Sequence, residues 1–153
     1  MWQVIREDWR DIFKRKTWYA GHTASLPTFR NGGPIYTLDA LIPAFQRLEI
    51  EEIVISNCSE LQNLDALKHL PLLKEIRLYD CAGLQNVDGL KALTSLRRLV
   101  LIDCTSLESV DSLHGIASLR EMEIAGCTNL PPGSVSALET ALPNTRIMGR
   151  ASR

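Results

Sequence analysis

Apolar residues recur along the chain with a period of 23 residues from about residue 48 onward. Each repeat has apolar residues at intervals of three, two and three positions, ending at a cysteine, and a leucine follows three residues later. The alternation in the middle of each repeat predicts a short strand with one buried face. A single strand cannot bury that face alone, so the repeats are expected to stack as a parallel sheet. The repeats are Ile50-x-x-Ile53-x-Ile55-x-x-Cys58, Leu73-x-x-Ile76-x-Leu78-x-x-Cys81, Leu96-x-x-Leu99-x-Leu101-x-x-Cys104 and Leu119-x-x-Met122-x-Ile124-x-x-Cys127.

The segments between the strands predict short helices on the back of the sheet. Residues with a side-chain oxygen stand seven positions after each cysteine, where they can accept hydrogen bonds from the free N–H groups that open a helix. After the last cysteine, Pro131-Pro132-Gly133 precedes a stretch with room for a longer helix, and residues 143–147 then predict a fifth, edge strand with Ile147 facing the core. The predicted helix caps are Asp65, Asp88, Asp111 and Ser134.

The first third of the chain has a different pattern. Apolar residues at helical spacing predict an amphipathic helix near the N-terminus, and Asn31-Gly32-Gly33-Pro34 predicts a turn after it. We therefore expect a helical cap over residues 1–34 and a solenoid with a C-terminal cap over residues 35–153, within one structural domain. The apolar residues of the predicted N-terminal helix are Trp2, Ile5, Trp9, Ile12 and Phe13.

The repeat resembles the leucine-rich-repeat family in its cysteine-containing form, L-x-x-L-x-L-x-x-C-x-x-L, over about residues 48 to 148. This resemblance implies an α/β solenoid with a curved parallel sheet of about five short strands, short convex helices and an N-terminal helical cap. A second, shorter similarity rests on Trp18, Leu26-Pro27-Thr28 and Ala141-Leu142-Pro143, which is similar to mitochondrial ATP synthase coupling factor B and its relatives. That similarity implies a subunit of a larger complex.

Composition and charge narrow the function classes. The chain has 153 residues, 45% of them hydrophobic, and a formal net charge of −1, which is typical of one globular domain. No apolar run is long enough to predict a transmembrane segment. We expect an intracellular, cytoplasmic protein, with a mitochondrial location as the alternative. The basic run Lys14-Arg15-Lys16, near Trp18 and Tyr19, is short in a chain that is not basic, so a nucleic-acid partner is not expected.

The sequence contains no recognisable catalytic or metal-binding motif. The four cysteines lie in separate repeats, whereas zinc sites need pairs two to four residues apart, so a buried, reduced, structural column is predicted. The aspartates after them could line up to collect a cation, although helix capping explains them more simply. We expect no catalytic residues, no cofactor and no metal. An enzyme with an unrecognised site is the alternative from another class. The histidines, His22, His69 and His114, are isolated in the sequence.

In leucine-rich repeats the strand residues between the buried positions face the concave side, where partners commonly bind. Apolar, aromatic and arginine side chains among them predict a protein-binding site, unless the N-terminal segment covers them. The predicted function is a non-enzymatic interaction module: a subunit, adaptor or assembly factor of a larger hetero-complex, or alternatively a bacterial immunity or regulatory binding protein. The predicted partner-binding residues are Val54, Arg77, Tyr79, Arg98, Val100 and Ile102. Three outward columns contain them: Glu52, Glu75, Arg98, Glu121; Val54, Arg77, Val100, Glu123, Arg146; and Ser56, Tyr79, Ile102, Ala125, Met148. Opposite charges, Glu75 with Arg98 and Glu123 with Arg146, are expected to pair across strands.

Overall fold

A computed structural model describes residues 17–20, 38–47, 49–59 and 61–149. Within these residues six parallel strands form one sheet, and the strands follow one another in chain order. Neighbouring strands from β2 to β5 pair without any shift of the 23-residue register, so that Ile53, Ile76, Leu99 and Met122 lie side by side. The strands are β1 (Thr17–Ala20), β2 (Glu52–Ser56), β3 (Glu75–Tyr79), β4 (Arg98–Ile102), β5 (Glu121–Ala125) and β6 (Arg146–Met148).

Short helices form a second layer against the sheet. Three 3₁₀ helices occupy the segments between β2 and β5, where each coil has room for only one or two helical turns. The two α-helices lie at the ends of this row, and each contacts the 3₁₀ helix next to it. No helix of the described residues is long and apolar enough to cross a membrane. The helices are α1 (Leu38–Arg47), η1 (Asp65–His69), η2 (Asp88–Ala92), η3 (Asp111–Gly115) and α2 (Ser134–Ala141).

The core lies between the sheet and the helices. The inward residues of every strand from β2 to β5 are almost completely buried, and leucines from the 3₁₀ helices meet them from the other side. Each coil thus buries the inward face of its neighbour, as the repeat predicts.

The cysteines continue the core beside the strand ends as free thiols. Cys58, Cys81 and Cys104 are buried, and Cys127 is half-buried. The Cys81 thiol donates to the Tyr79 carbonyl oxygen at 3.5 Å. Side-chain hydrogen bonds with Cys127 and Cys81, together with burial, raise the pKa of Cys104 above that of an ordinary thiol. Cys104 is therefore a neutral thiol. The predicted burial of the column holds for Cys58, Cys81 and Cys104, whereas Cys127 departs from it.

The predicted helix caps are wrong. Asp65, Asp88 and Asp111 are the first residues of the 3₁₀ helices, and no side chain caps these helices from the position before. Instead, the N–H of each aspartate donates to the residue two positions earlier. The acceptors are asparagine or serine side chains, which commonly accept a hydrogen bond from the backbone N–H two residues later in a turn. The distances are 3.1 Å from Asp65 N to Asn63 Oδ1, 3.2 Å from Asp88 N to Asn86 Oδ1 and 3.1 Å from Asp111 N to Ser109 Oγ. At the fourth position, the Ser134 hydroxyl donates to the Pro131 carbonyl oxygen at 2.8 Å.

The N-terminal region contributes a strand that the sequence pattern does not predict. The five predicted strands are all present as β2 to β6, and β1 precedes them, pairing with β2. It falls within residues 1–34, for which a helical cap is predicted. The rest of that cap, including the apolar helix and the boundary at residue 34, lies outside the described residues.

The last strand has a different register from the predicted one. Arg146 lies beside Glu121 and Met148 beside Glu123, two positions away from the predicted columns. The Thr145 hydroxyl donates to the Leu119 carbonyl oxygen at 2.9 Å, and the Arg146 N–H donates to the Arg120 carbonyl oxygen at 2.7 Å. These bonds start the strand at Arg146. Ile147 still packs against the core, as predicted.

Candidate functional site

The outward side chains of β2 to β6 form the sheet surface that faces away from the helices, called here the open face. It is the face predicted to be concave, and the register brings all six predicted partner-binding residues onto adjacent positions of β2, β3 and β4. Three columns run across it. They are Glu52, Glu75, Arg98, Glu121 and Arg146; Val54, Arg77, Val100, Glu123 and Met148; and Ser56, Tyr79, Ile102 and Ala125.

The two predicted arginines belong to a charged ladder that joins four strands, made of Glu52, Arg77, Glu75, Arg98 and Glu121. Arg77 contacts Glu75 at 2.6 Å through Nε and Glu52 at 3.0 Å through Nη2. Arg98 Nε lies 3.5 Å from Glu75 and 3.7 Å from Glu121. The predicted Glu75–Arg98 pair is therefore confirmed. The predicted Glu123–Arg146 pair is wrong, because the register of β6 places Arg146 beside Glu121.

The ladder favours the charged form of Arg77. The hydrogen bond from Arg77 to Glu75 raises the pKa of Arg77, burial opposes that change, and the charges of Glu75 and Glu52 add to it. Because the Arg77 side chain keeps 33% of its exposure, these ion pairs contribute little to folding stability, at most about 1 kcal/mol each. Their main effect is to hold the guanidinium groups in place on the open face.

Val100 is not an accessible contact, contrary to its prediction. It is only 1% exposed, although it faces away from the core between sheet and helices. Its neighbours across the strands are Arg77 and Glu123, whose longer side chains stand on both sides of it. Val100 can therefore support the surface without offering area to a partner.

Five other apolar side chains of the open face remain half-exposed: Val54, Tyr79, Ile102, Ala125 and Met148. Tyr79 and Ile102 are direct neighbours across β3 and β4, and Val54 lies on β2, next to Arg77. We call Val54, Tyr79 and Ile102 the apolar patch. Half-exposed aromatic and β-branched side chains on a rigid sheet are suited to pack against a partner at small entropic cost.

The residues that directly follow the strands form a further column that the sequence reasoning missed. Asn57, Asp80, Asp103 and Gly126 all have positive φ, between 51° and 66°. A Cβ atom on Gly126 would lie 1.8 Å from Asp103 Oδ1, so glycine leaves room for the Asp103 carboxylate to extend over the next coil. The signal was visible in the sequence: asparagine, aspartate or glycine precedes every cysteine, and these are the residues that tolerate left-handed backbone.

Acidic and basic side chains are distributed unevenly along the strands of the open face. Within the part of the chain that the structure describes, Asp80, Asp103 and Glu123 have no ion-pair partner, whereas Arg77 and Arg98 are both paired. The third strand arginine, Arg146, lies on β6 beside Glu121. Basic residues stand instead before the strands, and one of them, Lys74, pairs with Glu51 at 2.8 Å. The carboxyl end of the open face is therefore the acidic end.

The described residues contain no group of three or more histidine, cysteine, aspartate or glutamate side chains that could hold a metal ion. On the helical side, Asp65 and Asp88 line one open cleft together with Lys68 and Lys91. If these aspartates bound a cation, as the sequence allows, it would lie beside the positive charges of the two lysines. His69 and His114 are exposed on η1 and η3.

Comparisons with known proteins find similarity among solved structures. No family model matches the chain, and no curated protein matches it. Among solved structures, the leucine-rich repeat domain of the type III effector XCV3220 (XopL) is similar, with a TM-score of 0.56 and 28% sequence identity. The likeness covers 72% of this chain and 37% of that chain, so this chain spans well under half of the effector structure. The resemblance to mitochondrial ATP synthase coupling factor B has no support in these comparisons.

Proposed function

Because this chain is a leucine-rich-repeat solenoid, we propose that it is a non-enzymatic module that binds another protein through the open face of its sheet. Leucine-rich-repeat domains are typically binding modules, which favours protein partners. We further propose that the chain acts as a subunit, adaptor or assembly factor within a larger complex.

The observation that carries this proposal is the apolar patch on a surface that also contains the charged ladder. Tyr79 and Ile102 are side by side and half-exposed, although the inward residues of the same strands are fully buried. Arg77 lies two positions before Tyr79 on the same face of β3 and is held by the charged ladder. Binding hot spots are rich in tyrosine and arginine, and side chains already fixed in one conformation lose less entropy when a partner arrives.

The test is capture of partners from a native extract, followed by mass spectrometry, with three forms of the chain. The wild type is compared with a Tyr79→Ala, Ile102→Ala double variant and with Leu72→Ala. Leu72 is the matched control, because it is a large hydrophobic residue with 49% exposure in the turn between η1 and β3, off the open face. Thermal unfolding of each form shows that the fold is retained.

We expect a protein that the wild type and Leu72→Ala both capture and that the double variant loses. A protein that the double variant keeps and Leu72→Ala loses would place the binding surface at the turns beside η1 instead. Capture that is equal for all three forms would contradict binding through the open face.

A further inference from the structure

Three carboxylates border the apolar patch, and we call Asp80, Asp103 and Glu123 the acidic rim. Asp80 directly follows Tyr79, and Asp103 directly follows Ile102. Glu123 lies on β5, beside Val100 and diagonal to Ile102. Tyr79 and Ile102 are therefore each followed directly by an aspartate, and Ile102 also has Glu123 on the neighbouring strand.

The rim is held in place by the backbone. Asp80 and Asp103 have φ of 51° and 55°. The Asp80 N–H donates to the Ile102 carbonyl oxygen at 2.9 Å, and the Asp103 N–H donates to the Ala125 carbonyl oxygen at 2.8 Å. Adjacent coils of a parallel sheet lie about 4.8 Å apart, so these two positions are close enough for one cation to interact with both carboxylates. Gly126 leaves the space into which the Asp103 carboxylate extends.

The charge of the acidic rim determines which partner side chains can bind beside the apolar patch. Arg77 and Arg98 already contact Glu52, Glu75 and Glu121, so they do not neutralise the rim. Arg146, on β6, lies beside Glu121, which is not part of the rim. Like charges on a partner would be repelled beside Tyr79 and Ile102, whereas a cation would be attracted. The stem of a lysine or arginine could also lie over the Tyr79 ring while its charged group reaches the rim.

We propose that the open face binds a segment of a partner protein in which lysine or arginine flanks an aliphatic or aromatic side chain. The apolar side chain packs on Tyr79 and Ile102, and the basic residues pair with Asp80, Asp103 and Glu123. This proposal rests on the proposed function, and it adds the chemistry of the partner.

The test uses random peptides displayed on phage, selected against the full chain, and one synthetic peptide made from the enriched sequences. We expect the enriched peptides to combine lysine or arginine with aliphatic or aromatic residues. An Asp80→Asn, Asp103→Asn double variant should bind the synthetic peptide at least about tenfold more weakly, and added salt should weaken wild-type binding.

The matched control is a Glu108→Gln, Glu139→Gln double variant. It removes the same formal charge from two exposed carboxylates that lie on the return segment and on α2, away from the open face. It should bind the synthetic peptide as the wild type does. Equal weakening by both double variants would show a general effect of net charge and would overturn the proposal.

Other outcomes separate this proposal from the proposed function. Enriched peptides that lack basic residues but lose binding in Tyr79→Ala would overturn the partner chemistry and leave the open face as the binding surface. Enriched peptides insensitive to both Tyr79→Ala and the aspartate variant, or no enrichment at all, would contradict both proposals. A synthetic peptide of residues 1–16 that competes fully would show that the chain's own basic segment occupies the site, which would overturn an external partner.

Discussion

The two faces of the same strands are built under different constraints. On the inward face every coil repeats the same chemistry, so that Ile55, Leu78, Leu101 and Ile124 follow one another and are almost completely buried. On the open face no column keeps one chemistry from β2 to β5: Ser56, Tyr79, Ile102 and Ala125 share a single register position. Stacking requires complementarity only on the inward side, so the open side is where one solenoid can differ from another.

The largest expected effect breaks the inward face. Leu78→Ala removes a fully buried side chain from the middle of the stack and should lower the free energy of unfolding by about 2 to 5 kcal/mol. The neighbouring change Arg77→Ala, on the opposite face of the same strand, should cost about 1 kcal/mol or less. Urea unfolding midpoints measure both, and similar losses for the two variants would contradict the division between faces.

A smaller effect is expected at the turn that supports the acidic rim. Gly126 has φ of 66°, so Gly126→Ala should destabilise the fold by about 1 to 2 kcal/mol and displace the Asp103 carboxylate. Gly115→Ala is the control, because no atom lies within 4 Å of a Cβ added there and its φ is not in the left-handed region. It should leave stability unchanged or raise it slightly. Thermal unfolding compares the two, and an equal response would refute the role given to Gly126.

The helical side offers a test of which side chain stabilises the start of each 3₁₀ helix. Asn86→Ala removes the acceptor of the Asp88 N–H and should cost about 0.5 to 2 kcal/mol. Asp88→Ala alters an exposed side chain and should stay within about 0.5 kcal/mol. If urea midpoints rank these two variants in the reverse order, Asp88 and not Asn86 would be the residue that caps the helix.

The smallest effect is expected in the charged ladder. Arg98→Gln breaks two contacts of 3.5 and 3.7 Å at a side chain with 41% exposure, so it should change stability by less than about 1 kcal/mol. The difference from wild type should shrink further in high salt, because screening weakens exposed ion pairs. A larger loss that salt does not reduce would indicate that Arg98 has a packing role.

The sequence predicts the features that recur in every repeat, and it does not predict the features that depend on individual contacts. The inward columns follow from periodicity, because an unpaired apolar face must be covered by the next coil. The register of β6 departs from the 23-residue repeat, and the hydrogen bonds that accompany it, from Thr145 to the Leu119 carbonyl oxygen and from the Arg146 N–H to the Arg120 carbonyl oxygen, are not encoded by periodicity. Val100, between Arg77 and Glu123 in the register, is only 1% exposed, and alternation alone does not predict that burial. Asn86 and Asp88 both suit a helix start by residue type, so only geometry distinguishes them.

Photocrosslinking tests binding through the open face most directly. A photoreactive phenylalanine analogue replaces Ile102 in one form of the chain and Leu72 in another, and both forms are irradiated in native extract. Both side chains are large and at least partly exposed, but only Ile102 lies on the open face. The account predicts a crosslinked protein from position 102 and none from position 72. Crosslinking from position 72 alone would contradict it, because the partner would then contact the turn between η1 and β3 instead of the apolar patch.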